Sequence, residues 1–410
     1  MAANTTSELA KKVTALVGVG KVREPIDTER AAAHTIVETT SVEEICEIVR
    51  MCEIDRITLA AIGQARTLSQ IRPSPVAVGV SLKRIARIVA YEPDDMTVVA
   101  EAGISVGELN AAIAPARQRL PVDPCDPGLT TLGSLIGASH SGPLRLSEGT
   151  SRDLLIGIRF VGHGGRQIHG GGRVVKNVAG YDLMKVMGGS FGTLGIITEV
   201  TFKVRPLPPR YSLAIMRYER AADAFADART LNDAIPLSHL EILSPALAAA
   251  FEPNAKFLLF AGFSGSSPEI DYQAEKIREL IGPPSEILDG EDALGKYQLL
   301  RDDVAVINCL SITSATTAQE IVRYTGRPKN SISRAVTKLE AEGMLRRKPD
   351  QRDGRASTLS LTTKGKRLFD QIKNYFAERD DRLVKVLSDK EKREFNRLLN
   401  KISEASVDRT

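Results

Sequence analysis

The first 300 residues of the chain alternate between hydrophobic patterns of helical and of strand period. Val42–Met51 places apolar side chains at helical spacing, which predicts an amphipathic helix. Thr97–Ala102 and Leu155–Val161 are short apolar runs typical of buried strands, and Ile196–Val204 alternates apolar with polar positions. These patterns predict an α+β fold.

A proline cluster, Pro206, Pro208 and Pro209, ends the last of these strands and predicts a linker. The pattern beyond it predicts a smaller α+β unit. Its expected strands and helices are Tyr211–Met216, Ala221–Asp233, Lys256–Phe263 and Ile270–Leu280.

The pattern changes again after Asp302. Thr316–Thr325 predicts a helix that Thr317 can cap, and Gly326 supplies a turn. Lys329–Glu342 predicts a second helix with a polar outer face, whose inward side chains are Ile332, Val336 and Leu339. The segments 345–348 and 357–361 then predict a hairpin with a basic tip. Two helices joined by a short turn are typical of a helix-turn-helix.

Length and composition fit a globular protein of two or three domains. The chain has 410 residues, of which 42% are apolar and 26% are charged. Residues 1–300 carry a net charge of −4 and residues 301–410 carry +8, so the basic end favours a nucleic-acid partner; a solvated charged surface is the alternative. A long apolar run and a signal-peptide pattern are both missing, so we expect a cytoplasmic protein with no membrane contact.

The four cysteines are scattered and form no CxxC pair, so we expect buried small side chains and no metal site. Glycines are dense in 128–142 and 170–180, where they would allow the backbone to approach a large anionic cofactor closely. A glycine-rich β-structure that turns often is the alternative. The familiar nucleotide motifs are absent. Residues 189–195 read GxxGxxG before a strand, whereas a dinucleotide-binding turn reads GxGxxG before a helix. Residues 290–297 have Tyr297 where a phosphate loop has the Ser or Thr that holds magnesium.

Two long runs make this region recognisable: LPVDPCDPGLTTLGSLIGASHSGPLRLSEGTSRDLLIG and GGRVVKNVAGYDLMKVMGGSFGTLGIITEVTFKVRPLP. Over about residues 35–300 the chain resembles the FAD-binding subunits of glycolate oxidases, which are flavoproteins of the p-cresol methylhydroxylase/vanillyl-alcohol oxidase type. The resemblance implies a two-lobed domain with noncovalent FAD between the lobes, a glycolate-like 2-hydroxy acid as substrate and an iron-sulfur subunit as electron acceptor. The FAD-contacting residues that it implies are Thr130, Thr131, Leu132, Gly133, Gly137, Ala138, Ser141, Gly142, Gly149, Asp153, Gly195, Ile196 and Ile197.

The expected pyrophosphate loop differs from the family pattern, which is rich in glycine. Its residues here are Gly63, Gln64, Ala65, Arg66 and Thr67, with a single glycine. Side chains at Gln64 and Ala65 restrict positive φ and crowd a phosphate, whereas Arg66 could supply a compensating charge. We therefore expect weakened FAD binding. The residues do not assign a catalytic base; His140 lies in the flavin stretch, where a structural role is the alternative.

From about residue 303 to 402 the chain resembles winged-helix regulators of the multiple antibiotic resistance regulator (MarR) family. The resemblance rests on the helix order, the wing pattern with Asp350, Arg352, Asp353 and Arg355, and the run LSLTTKGKRLF. It implies duplex DNA as a partner and a homodimer formed through Leu368–Ile402. The DNA-contacting residues expected in the second helix and at the wing are Lys329, Asn330, Ser331, Ser333, Arg334, Thr337, Lys338, Arg352 and Arg355.

The sequence thus predicts a fusion of two modules. We expect a two-lobed α+β FAD-binding domain over 1–209, a truncated substrate-side lobe over 210–302 and a winged helix-turn-helix domain over 303–410. Three interpretations stay open: a DNA-binding regulator with a flavin sensor, a flavin-dependent 2-hydroxy-acid dehydrogenase subunit with a passive appendage, and a gene-fusion product with impaired activity.

Overall fold

A computed structural model gives the architecture of the chain. It describes residues 2–26, 33–63, 76–124, 127–172, 182–243, 245–248, 251–252, 255–295, 297, 316–318, 321, 329–341, 343–349 and 357–367. Within these ranges no helix is long and apolar enough to cross a membrane.

The chain begins with a small sheet covered by helices. Its helices and strands are α1 (Ala2–Val17), β1 (Val22–Arg23), β2 (Ala33–Glu38), α2 (Val42–Ile54), β3 (Leu59–Ile62) and β4 (Val76–Ser81). The strand order is β1-β2-β4-β3, with β2, β3 and β4 parallel. Ser41 caps α2, and the buried face of this helix includes Ile45 and Ile48, as its hydrophobic period predicts. Because Glu38 and Ile62 both align with Ser81, the three parallel strands end at one edge.

A second, antiparallel sheet follows. Its strands are β5 (Ile88–Glu92), β6 (Thr97–Glu101), β8 (Leu155–Gly162), β9 (Arg166–Gly171) and β10 (Ile196–Lys203), in the order β5-β6-β10-β8-β9. The helices between these strands are α3 (Val106–Ile113), α4 (Leu132–Gly137), α5 (Arg145–Glu148), α6 (Ser151–Leu154) and α7 (Leu183–Met187). Val80 of the first sheet and Phe202 of the second belong to one continuous buried core. The predicted strands of this region are confirmed.

The proline cluster is more ordered than the predicted linker. Arg205–Pro206 forms a short strand, β11, that pairs with β7 (Gln118–Arg119). The pairing is possible because Pro206 lies in a two-residue strand with exposed side chains, where the missing N–H costs little.

The third sheet belongs to the smaller α+β unit. Its elements are β12 (Arg210–Tyr218), α8 (Ala221–Ala234), β13 (His239–Leu243), α9 (Pro245–Ala248), β14 (Phe257–Gly265), α10 (Ser267–Ile281) and β15 (Glu286–Asp289). The strands are antiparallel in the order β13-β14-β12-β15. Leu231 of α8 and Ile277 of α10 pack against Phe263 on one face of the sheet, and Phe260 and Ala293 lie in the core on the other face.

The C-terminal described residues form a helix packed against a small sheet. Their elements are β16 (Thr316–Thr317), α11 (Lys329–Ala341), β17 (Leu345–Pro349) and β18 (Ser357–Leu361), with strand order β16-β18-β17. Ile332, Val336 and Leu339 are buried in one core with Leu359, so the predicted inward face of the second helix and the predicted hairpin are confirmed. Thr316–Thr317 pairs with β18 as a strand, and helical backbone is first seen at Ala318, so the predicted helix begins later than Thr316.

Candidate functional site

Two segments that are distant in the sequence meet at the edge where the parallel strands end. Gly63 follows β3, and a β-carbon placed on Gly63 would lie 2.8 Å from Thr131 Oγ1. Thr131 caps α4, because its Oγ1 accepts a hydrogen bond from Ser134 N at 3.3 Å. Ligands of open α/β sheets commonly bind at the carboxyl ends of parallel strands, and this edge joins two of the predicted FAD-binding segments.

Helix α4 is held in place by backbone hydrogen bonds from both sides. Leu132 N donates to Ile104 O and Gly133 N donates to Ala102 O, both at 2.9 Å, and Thr130 O accepts from Val106 N. Phe191 N donates to Gly137 O at 2.7 Å at the other end of the helix. The predicted residues Thr130, Thr131, Leu132, Gly133 and Gly137 therefore form one fixed segment.

Gly137 is buried, yet a β-carbon there would meet no atom of the described protein within 4 Å. A buried glycine with no described atom near its β-carbon position would leave room for a bound group next to the backbone. Ser81 adds a polar group at the edge of the parallel strands: its Oγ is buried without a hydrogen-bond partner among the described atoms.

The segment after α4 turns sharply and packs on Asp123. Ala138 is the C-terminal cap residue of α4, and Ser139 has φ of 51°. A β-carbon on Gly142 would lie 2.2 Å from the Asp123 carbonyl oxygen and 2.5 Å from its Oδ1, so only glycine allows this approach. Leu144 N donates to Asp123 Oδ2 at 3.2 Å. Asp123 therefore supports the predicted flavin segment that contains Ser141 and Gly142.

Gly149 and Asp153 lie at the start of α6. Thr150 N and Oγ1 donate to Asp153 Oδ2 at 2.8 and 2.6 Å, and these hydrogen bonds hold the pKa of Asp153 below its usual range. The Asp153 carboxylate is thus a helix cap in this structure, with Gly149 turning the chain at φ of 77°.

Gly195, Ile196 and Ile197 lie at the start of β10. Ile196 and Ile197 are buried and align with Val161 and Phe160 of β8. A β-carbon on Gly195 would lie 2.6 Å from Val161 O, which explains the glycine. The pairing of β10 with β6 begins at Glu199, so these three residues lie outside that pairing.

A buried cluster between the second and third sheets was missed by the sequence patterns. Tyr297 Oη donates to Asp123 Oδ2 at 2.6 Å, and its ring stacks on His239 with a centroid distance of 4.3 Å. His239 Nε2 shares a hydrogen bond with Tyr211 Oη. Burial lowers the pKa of His239 to about 4, so its ring is neutral at pH 7. Local patterns gave no signal because Tyr297 and Asp123 are 174 positions apart.

Two groups of predicted residues lie outside the structural description. Gln64, Ala65, Arg66 and Thr67 belong to the undescribed 64–75, and Arg352 and Arg355 belong to the undescribed 350–356. The helix α11 is described, with Ser333 and Thr337 exposed. The side chains of its other predicted DNA contacts are not described: Lys329, Asn330, Ser331, Arg334 and Lys338.

Cys46 and Cys52 are buried free thiols, as expected, and burial raises the pKa of Cys52 to about 12. Cys125 and Cys309 lie outside the described ranges. A cluster of three or more potential metal ligands is not found among the residues that the structure describes.

Comparison with known families identifies both modules. Residues 33–171 match the model of an FAD binding domain, and residues 299–356 match the model of the MarR family.

Curated relatives match about half of the chain. The glycolate oxidase subunit GlcE of Escherichia coli (strain K12) is 33% identical over 218 residues, which are 52% of this chain and 55% of that protein. The mitochondrial D-lactate dehydrogenase [cytochrome] of Arabidopsis thaliana is 31% identical over 211 residues, 51% of this chain and 37% of that protein. The chain thus spans about half or less of the length of these relatives.

The fold matches solved structures at lower identity. An alkyldihydroxyacetonephosphate synthase superposes with a TM-score of 0.59 at 18% identity, and the match covers 76% of this chain and 65% of that one. The chain therefore combines a region that matches an FAD binding domain with a C-terminal segment that matches the MarR family, and it is similar in sequence to glycolate oxidase subunits and D-lactate dehydrogenases.

FAD is the cofactor that the domain match and the FAD-linked relatives support, and the described part of the site fits it. The space beside Gly137 and the unpartnered Ser81 Oγ are features that a bound flavin nucleotide would use. The prediction of FAD is confirmed, whereas the individual contact residues stay predictions.

Proposed function

We propose that the chain is a DNA-binding regulator whose FAD-binding module senses redox state or a 2-hydroxy acid. One observation carries the proposal: the residues after the flavin module form a packed winged-helix core, in which α11 buries Ile332, Val336 and Leu339 and leaves Ser333 and Thr337 exposed. A polar helix face held on a buried core is the arrangement that a recognition helix needs.

In this proposal the chain has three parts. Residues 1–209 form the FAD-binding domain, 210–302 the truncated substrate-side lobe and 303–410 the DNA-binding domain. The segment Leu368–Ile402, which lies outside the described residues, would supply the helices of a homodimer. A symmetric dimer would read a palindromic duplex site. In this proposal the regulator acts in the cytoplasm.

The proposed effector class follows from the similarity to glycolate oxidase and D-lactate dehydrogenase sequences. A bound FAD would accept a hydride equivalent from the carbon that carries the hydroxyl of a 2-hydroxy acid. An iron-sulfur subunit is the proposed electron acceptor if the module turns over. The oxidoreductase without regulatory function is the second candidate, and the same relatives favour it.

The test is DNA selection with the full chain in three states: apo, with oxidised FAD, and with FAD reduced by dithionite without oxygen. We expect enrichment of one palindromic site and an affinity for that site that differs between the FAD states. Arg229→Ala in α8 is a control for the loss of one positive charge, because it removes an exposed arginine that is far from the winged helix in sequence. Enrichment of no site in any state would refute the regulator proposal. Equal affinity in all three states would refute the sensor role.

A further inference from the structure

Tyr297 connects the substrate-side lobe to the flavin lobe through one buried hydrogen bond. Its Oη donates to Asp123 Oδ2 at 2.6 Å, and the two residues are 7% and 6% exposed. Asp123 lies at the end of the described stretch 76–124 of the flavin lobe, whereas Tyr297 follows the last strand of the third sheet. A hydrogen bond to a buried carboxylate is stronger than one between neutral groups, so this contact fixes the position of Asp123.

The Tyr297 ring rests on a rigid support. His239 is 0% exposed and stacks on Tyr297 with ring planes 21° apart. Tyr211 Oη shares a hydrogen bond with His239 Nε2 and so helps to hold the imidazole. A β-carbon on Gly262 would lie 2.2 Å from His239 Nε2, so the imidazole packs directly against the backbone of that strand. The ring of Tyr297 therefore has little freedom to move.

Asp123 in turn holds the predicted flavin segment in place. It accepts a hydrogen bond from Leu144 N at 3.2 Å, and its backbone and side chain contact Gly142 so closely that a β-carbon would not fit. Any movement of Asp123 therefore moves Ser141–Leu144.

We propose that Tyr297 and Asp123 are positioning residues for the flavin, through which the substrate-side lobe sets the geometry of the Ser141–Gly142 segment. The inference rests on the proposed FAD-dependent function of the module. It assigns a role to Tyr297, which the glycine patterns and the family match over 33–171 do not include.

The test compares Tyr297→Phe with Tyr218→Phe in the full-length apoprotein. Tyr297→Phe keeps the ring and its stacking on His239 but removes the hydroxyl. Tyr218→Phe removes a similar hydroxyl, which donates to Asp227 Oδ2 at 2.7 Å in the same lobe. FAD affinity is measured by the change in flavin fluorescence on binding. The visible circular dichroism of bound FAD reports the flavin geometry.

We expect Tyr297→Phe to weaken FAD binding about tenfold and to change the visible circular dichroism, with Tyr218→Phe like the wild type in both. Asp123→Asn, which keeps an acceptor oxygen, should show a smaller loss, and the effects of the two substitutions should not add. Unchanged FAD affinity and dichroism in Tyr297→Phe would overturn the inference, as would strictly additive losses. If the wild-type protein itself binds no FAD, the proposed FAD-dependent function fails instead.

Discussion

Gly63 and Thr131 approach each other so closely that a β-carbon on Gly63 would lie 2.8 Å from Thr131 Oγ1. This contact joins the end of the parallel β3 to the start of α4, and thereby joins two of the segments that resemble flavin-binding sequences. Thr131 cannot move away without cost, since its Oγ1 caps α4 through Ser134 N.

Gly63→Ala should therefore destabilise the apoprotein by about 1–2 kcal/mol, because the new methyl group must displace the capping hydroxyl. Urea unfolding of the apoprotein measures the free energy of unfolding. In the background of Thr131→Ala, where neither the hydroxyl nor the cap is present, the same change should cost much less. An equal cost in both backgrounds would contradict the contact.

Gly137→Ala, unlike Gly63→Ala, should not destabilise the apoprotein. A β-carbon at Gly137 meets no described protein atom within 4 Å, and alanine favours a helix by about 0.5–1 kcal/mol over glycine. We expect the apoprotein to be as stable as the wild type or more stable, while FAD binding weakens because the methyl group occupies the space meant for the flavin. Calorimetric titration with FAD, next to urea unfolding of the same variant, measures both. An unchanged FAD affinity would show that the space has another use.

The sequence predicted the elements of this site better than their arrangement. Apolar periodicity located β10, α10 and α11, since each is long enough to show its period. The approach of Gly63 to Thr131 and the Tyr297–Asp123 hydrogen bond depend on how sheets pack, which no local pattern encodes. His239 carries no sequence signal of this kind, because a single histidine in a strand gives no indication that it is buried in contact with two tyrosines.

The glycine-poor loop after β3 should limit FAD affinity. Gln64→Gly together with Ala65→Gly should tighten FAD binding several-fold, because glycine permits positive φ and clears the approach to a pyrophosphate. Gln64→Ala is the matched control, since it shortens the side chain but keeps the β-carbon, and it should tighten binding less. The dissociation constant of FAD for each apoprotein measures the effect. A wild-type protein that keeps stoichiometric FAD through dialysis would contradict the proposed defect.

Stability should fall with decreasing pH because of His239. Burial lowers its pKa to about 4, whereas the unfolded chain protonates this histidine near its ordinary pKa of 6.5. Between these pH values the unfolded state binds the extra proton, so the free energy of unfolding decreases as pH falls and is lower by about 3 kcal/mol at pH 4. The carboxyl groups of Asp123 and Glu241 lie close enough to the cluster to raise the pKa of Tyr211, so a variant is needed to isolate the contribution of the imidazole.

His239→Gln should remove this part of the pH dependence, because a glutamine amide does not titrate. Urea unfolding at several values between about pH 4.5 and 7 gives the slope, which depends on the difference in bound protons. His169→Gln is the control, since His169 is exposed on β9. Equal slopes for the wild type and His239→Gln would contradict a buried neutral histidine.

The C-terminal module should bind duplex DNA through α11 and the wing. Each phosphate contact releases counterions, so affinity should fall steeply with salt. Arg334→Ala should cost about 1–3 kcal/mol and relax sequence preference if this arginine reads a base edge. Arg355→Ala, at the wing, should weaken binding to all sequences more evenly and reduce the slope of affinity against salt. We therefore expect Arg334→Ala to change mainly the sequence preference and Arg355→Ala to change mainly the salt dependence.

Fluorescence anisotropy with the selected site and a scrambled duplex, at several salt concentrations, separates these two signatures. The exposed Ser333 and Thr337 mark the face of α11 that would enter the groove, so Thr337→Glu places a negative charge against phosphate and should abolish binding. Thr363→Glu adds the same charge at an exposed position after β18 and outside α11, and it should reduce binding far less. Equal losses from these two glutamates would mean that only net charge attracts the DNA, and α11 would then not be a recognition helix.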